Sequence, residues 1–181
     1  MKISHIICLA LALFLFSGCA ESGQPNSAKT VKFDITDLNY KAADKLLREA
    51  QLPAGSVVIM ATVVNIDDIE NSSTLGRLIS EHVSSHFTRK NMNMIEMKFR
   101  ENVYMKQNEG ELMLTREIGK IAKNHSANAI VVGTYALSNS AVYINLKIID
   151  PRTNVAISAT DYVLPMNNDI SDMSGKKVRM F

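Results

Sequence analysis

Two stretches of the chain, Ser56 to Val64 and Ala129 to Leu137, are apolar, rich in β-branched residues and bounded by turn signals. Such a run reads as a strand covered on both faces, and that demand narrows the fold more than any other feature. Helical periods supply the cover. From Asp37 to Leu52, the residues Leu38, Ala42, Leu46 and Ala50 share one stripe, with Ala43 and Leu47 beside them, until Pro53 and Gly55 stop the helix. Ser73 is placed to cap a second helix carrying Leu75, Leu78, Ile79, Val83 and Phe87 on one side. Thr115 can cap a third, carrying Ile118, Ile121 and Ala122, and Met94 to Phe99 is a short strand candidate. The end of the chain changes style. Val142, Ile144, Leu146 and Ile148 alternate with Tyr143, Asn145 and Lys147, the pattern of a strand with one buried face. Asp150-Pro151-Arg152-Thr153-Asn154 is a turn, and Val155 to Val163 returns with Val155, Ile157 and Ala159 on one face. The expectation is an α/β protein, three helices packed on a mixed sheet of about five strands that ends in a β-hairpin.

The first residues are not part of that domain. Lys2 is followed by an uncharged run from Ile6 to Phe16, which in helix would rise roughly 16 Å, about half a bilayer core. That length suits the h-region of an export signal. The run ends in Ser17-Gly18-Cys19, which resembles the lipobox of bacterial lipoproteins, with Phe16 where leucine is more usual. On this reading Cys19 receives lipid and becomes the first mature residue. An ordinary signal peptide leaves a cysteine just after small residues unexplained. Cys8 is discarded with the signal and Cys19 is consumed, so neither of the two cysteines survives as a thiol, in keeping with an oxidising periplasm. By resemblance to sorted lipoproteins, Ala20 after the cysteine implies the outer membrane. Residues 1–18 are thus read as a signal peptide, 19–36 as lipidated cysteine and flexible tether, 37–166 as one domain and 167–181 as a mobile tail.

Charge and motif exclude several functions. Loss of Lys2 from the 20 Lys and Arg leaves 19 against 18 acids, a balance unlike the clustered basic excess of a nucleic-acid binder. His82 and His86 share a helix face, but Val83 follows where a zinc hydrolase has glutamate, so a boundary role is preferred to metal binding. Met92, Met94 and Met97 raise copper(I), yet on a strand Met97 faces away from the other two. The chain has no G-x-S-x-G, no Walker loop and no dinucleotide fingerprint. No catalytic residue, metal site or cofactor is assigned. One segment invites contact: the loop after the first buried strand places Ile69 among Asp67, Asp68 and Glu70, although folding of Ile69 back into the core is preferred to its exposure. Arg77 is near enough in sequence to pair with those acids.

Several blocks carry a family resemblance. They include Asp37-Leu38-Asn39-Tyr40-Lys41-Ala42-Ala43-Asp44, Ala61-Thr62-Val63-Val64-Asn65-Ile66-Asp67-Asp68, Ser73-Thr74-Leu75-Gly76-Arg77-Leu78, Val132-Gly133-Thr134-Tyr135, Val142-Tyr143-Ile144-Asn145-Leu146-Lys147 and Asp161-Tyr162-Val163-Leu164-Pro165-Met166. Together these resemble the FlgO family of flagellar outer-membrane lipoproteins across residues 37–166. The resemblance implies a periplasm-facing, non-enzymatic lipoprotein that supports the flagellum and motility. It also implies a fold similar to the amino-terminal domain of TolB and to curli-export lipoproteins. Its implied partners are the outer membrane, through lipid on Cys19, and flagellar or other envelope proteins. The alternative role is a lipoprotein component of an envelope export or enzyme-regulating assembly. Whether the chain forms an oligomer is left open by one sequence.

Overall fold

A computed structural model describes residues 33–69, 71–97 and 122–175. The first helix, α1 (Ile35–Ala50), starts where Asp34 accepts hydrogen bonds from the amides of Thr36 and Asp37, and it ends at Gln51 in the left-handed region. Strand β1 (Val57–Ala61) follows, then β2 (Val64–Asn65), helix α2 (Thr74–Arg89) and β3 (Asn93–Met97). After residue 121 come β4 (Ala129–Leu137), β5 (Ala141–Asp150), β6 (Val155–Pro165) and α3 (Asn168–Ser174).

The strands form one mixed sheet in the order β3-β1-β4-β5-β6, with β2 also paired to β4. β1 runs parallel to β3 and β4, and β4, β5 and β6 are antiparallel in succession. This is the α/β arrangement expected, with the closing hairpin in place. The two-sided burial of β1 follows from its alternation. Val58 and Met60 join the core under the helices, while Ile59 and Ala61 join a second cluster with Ala122 and Ile130 on the opposite face. The α2 stripe of Leu75, Ile79, Val83 and Phe87 is fully buried, each side chain worth about 1.5–3 kcal/mol of transfer free energy.

Four details correct the sequence reading. The run Ser56 to Val64 is two strands, so the sheet has six strands instead of about five. The break lies at Val63, whose amide donates to Ser80 Oγ on α2 at 2.9 Å and not to a neighbouring strand. The hairpin also turns unlike residues inward. A register shift between Ile148 and Ile149 leaves Val155 and Ile157 exposed, and Ser158, Thr160 and Leu164 are buried instead. The small side chains of Ser158 and Thr160 suit the close packing of α1 across β6. The expected tail is helical over Asn168–Ser174. Asn167 caps it by accepting from the Ile170 amide at 2.8 Å, and Ile170 sinks into the core. Residues 33–36, read as the end of the flexible tether, instead hold the cap and first residues of α1, with Phe33 and Ile35 packed against the core. Residues 122–124 are helical, but the rest of the expected third helix, the signal and residues 19–32 lie outside the described residues.

Candidate functional site

Cys19, the expected lipid site, and Glu70 lie outside the described residues. The rest of the expected contact loop is held by a closely bonded frame. β2 pairs with β4 at Val64 with Thr134 and Asn65 with Tyr135, and the Ile66 amide then donates to Tyr135 O at 2.9 Å. Asn65 closes the turn that follows, accepting from Asp67 N on its side chain at 3.0 Å and from Asp68 N on its carbonyl at 3.1 Å. The Asp68 carboxylate in turn accepts from Asn71 Nδ2 at 3.0 and 3.2 Å.

The far end is pinned just as firmly. Ser73 Oγ accepts from Gly76 N at 2.9 Å, capping α2, and accepts from the Tyr135 hydroxyl at 2.7 Å. Burial pushes the Tyr135 phenol above its ordinary range; the Ser73 bond opposes this and the Asp68 charge adds to it. Ser73→Ala removes the cap and leaves a half-buried hydroxyl without its acceptor. It is expected to cost about 1–2 kcal/mol, read as a lower urea midpoint at unchanged slope. Tyr135→Phe, which keeps the cap, should cost less.

This frame presents side chains other than those the sequence singled out. Asp67 and Asp68 are exposed, and Ile69 is half-buried, turned back toward the core in part, as preferred over full exposure. The apolar side chain that stands out is Ile66, 58% exposed. Its amide bond to Tyr135 sets the turn and so sets its direction, a tertiary contact with no local signature. Arg77 does not pair with Asp67 or Asp68; its guanidinium donates to Ser72 and Thr74 beside it.

The two histidines are boundary residues as read. His82 Nδ1 is 2.9 Å from Asn39 Nδ2, and His86 Nε2 is 3.4 Å from Asp44 Oδ1. No cluster of three or more metal-ligating His, Cys, Asp or Glu occurs among the described residues. Met92 is buried in the core and Met94 packs against it, so these two thioethers are packing groups. A cleft of about 440 Å³ lies beside Pro53, Lys123, Asn128 and Arg152. Two of its polar groups are engaged elsewhere, since Asn128 accepts from Val57 N and Arg152 is paired with Asp150. No described helix is long and apolar enough to cross a membrane.

Comparison with known proteins places the fold. The C-terminal domain of LpoB from Escherichia coli matches with a TM-score of 0.55 at 12% identity, over 74% of this chain and 100% of that one. The corresponding domain from Salmonella enterica matches with a TM-score of 0.53 at 14% identity and the same coverage. At these identities the likeness is one of fold. No curated protein sequence matches significantly. A family model described as "FlgO protein" matches residues 40–169.

Proposed function

The chain belongs to the FlgO family, and from that premise we propose that it is a non-enzymatic outer-membrane lipoprotein, facing the periplasm, that supports flagellar assembly or stability and motility. The observation that carries this reading is the extent of the family match, which takes in every described strand and all but the first five residues of α1. The Ser17-Gly18-Cys19 sequence supports the lipid anchor. Tethering to a membrane sheet raises the effective concentration of a domain near any partner in that sheet, which suits a binding module that performs no chemistry.

The contact surface we assign is the β2–α2 turn. Ile66 supplies apolar area that is already ordered, so binding pays little further backbone entropy there. Asp67 and Asp68 flank it with negative charge, complementary to an apolar pocket with a basic rim.

The test is deletion of the gene, with swimming and filaments scored, and complementation by wild type, Cys19→Ala and Ile66→Asp. Loss of swimming that wild type rescues and Cys19→Ala does not is the expected result. Ile66→Asp should rescue poorly while shifting stability by less than about 0.5 kcal/mol, as a surface change away from the core. Full rescue by Ile66→Asp would move the contact elsewhere. Unchanged swimming with a secretion or wall defect would overturn the flagellar role in favour of an envelope export or enzyme-regulating assembly.

A further inference from the structure

Asn39 is polar, carried on α1, and fully buried. Its amide sits between two side chains from other elements. The Tyr162 hydroxyl on β6 donates to Asn39 Oδ1 at 2.6 Å, and Asn39 Nδ2 stands 2.9 Å from His82 Nδ1 on α2. An amide nitrogen can only donate, so His82 Nδ1 is the acceptor and the ring carries its hydrogen on Nε2. The chain of donors therefore runs one way, from tyrosine through asparagine to a neutral imidazole.

We propose that the Tyr162–Asn39–His82 chain is a pH-sensitive latch, which holds α1 against α2 and β6 while His82 is neutral and weakens that hold when His82 gains a proton. Protonated Nδ1 and Asn39 Nδ2 are both donors and cannot bond. Turning the Asn39 amide restores that bond but aims Nδ2 at the Tyr162 oxygen, and the largely buried Tyr162 O–H then loses its acceptor. In either arrangement one polar group in the seam is left unsatisfied, which costs more than an average hydrogen bond contributes.

The surroundings favour the same direction. Burial pushes His82 below the ordinary imidazole value of 6.5, opposed by the Asp34 carboxylate at the start of α1. Tyr40 of α1 stacks edge-on to the His82 ring at 5.7 Å. One turn on, His86 faces Asp44, which also pairs with Lys90 and Arg48, and Arg89 lies over the Tyr40 ring at 4.2 Å. Burial lowers His86 as well, against the pull of Asp44. α3, which also packs on α2, carries Asp169 and Asp172. A group whose folded form prefers to be neutral adds stability that is complete above about pH 6.5 and drains away as pH falls below it.

The experiment is histidine nitrogen NMR and amide exchange on the full chain in detergent micelles. The expected spectrum above neutrality has His82 unprotonated at Nδ1, with a titration midpoint below 6.5. Protection of the α1 amides, corrected for intrinsic exchange, should fall as pH drops below about 6.5, reaching roughly tenfold for each unit by which that midpoint is lowered once the pH is below the midpoint. His82→Gln should abolish most of that fall, with His86→Gln as the comparison that removes only the smaller share due to His86 itself. Tyr162→Phe frees the amide to turn without stranding a hydroxyl, so it should raise the His82 midpoint; this holds even if His82→Gln fails to fold. A wild-type midpoint at or above 6.5, or no rise in Tyr162→Phe, would overturn the latch.

Discussion

Replacing Cys19 with alanine is expected to abolish incorporation of radiolabelled palmitate and to deplete the outer-membrane pool at least tenfold. Each buried methylene of an acyl chain contributes about 0.8 kcal/mol, yet one chain alone binds only marginally, so stable residence needs several chains on one site. Cys8 lies inside the segment read as the signal, which leaves Cys19 as the one thiol placed to receive them. The rest of the chain offers no substitute among its described residues, where no helix is apolar and long enough to span. Fractionation with an outer-membrane marker, beside the labelling, checks both halves of the expectation. Label on the alanine variant would mean that the lipid sits elsewhere. An unlabelled wild type would leave an ordinary cleaved signal.

Gly76→Ala is the second large effect, and its sign runs against helix propensity. Within a helix, alanine is favoured over glycine by about 1 kcal/mol, so an exposed position would gain stability. Gly76 is in the first turn of α2, where a Cβ would come within 1.9 Å of Val63 O and 3.0 Å of Val63 C. Both atoms are backbone, and that backbone is tied to the same helix by the Val63 amide, which donates to Ser80 Oγ one turn on, while Ser80 Oγ donates to Gly76 O at 2.9 Å. The helix cannot retreat from Val63 without breaking the Val63–Ser80 bond. The net effect should be a loss of about 2–4 kcal/mol, a large part of the total stability of an ordinary domain. Urea unfolding measures it, and a variant as stable as wild type would show that α2 shifts freely. The same contact is why the chain leaves the sheet at Thr62 and Val63, since α2 docks on the bend.

Much of the fold was legible because it is written in local periods. The apolar stripe and the Ser73 cap placed α2, and the alternation in β5 gave its buried face. The contact loop was legible only in part. Asp67 and Asp68 are exposed because short polar residues in a turn have little to gain from burial. The choice between Ile66 and Ile69 was not legible, because it hangs on the bond from the Ile66 amide to Tyr135 O, far along the chain. Asn39 gave no signal either. Polar on a helix that buries its apolar face, it carries no local mark of Tyr162 and His82, which reach it from β6 and α2.

By itself the sequence determined the α/β class and the closing hairpin, and it is the basis for proposing an export signal and a lipid site at Cys19. The class and the hairpin follow from hydrophobic runs and periods within about a dozen neighbouring residues, and the proposed lipid site from the resemblance of Ser17-Gly18-Cys19 to a lipobox. Only the tertiary structure decided where the first long run breaks, which face of β6 is buried, that residues 168–174 fold back as a helix, and which isoleucine is presented. Each of these is settled by a hydrogen bond or packing contact between residues distant in sequence, and no local pattern records which partner will be there.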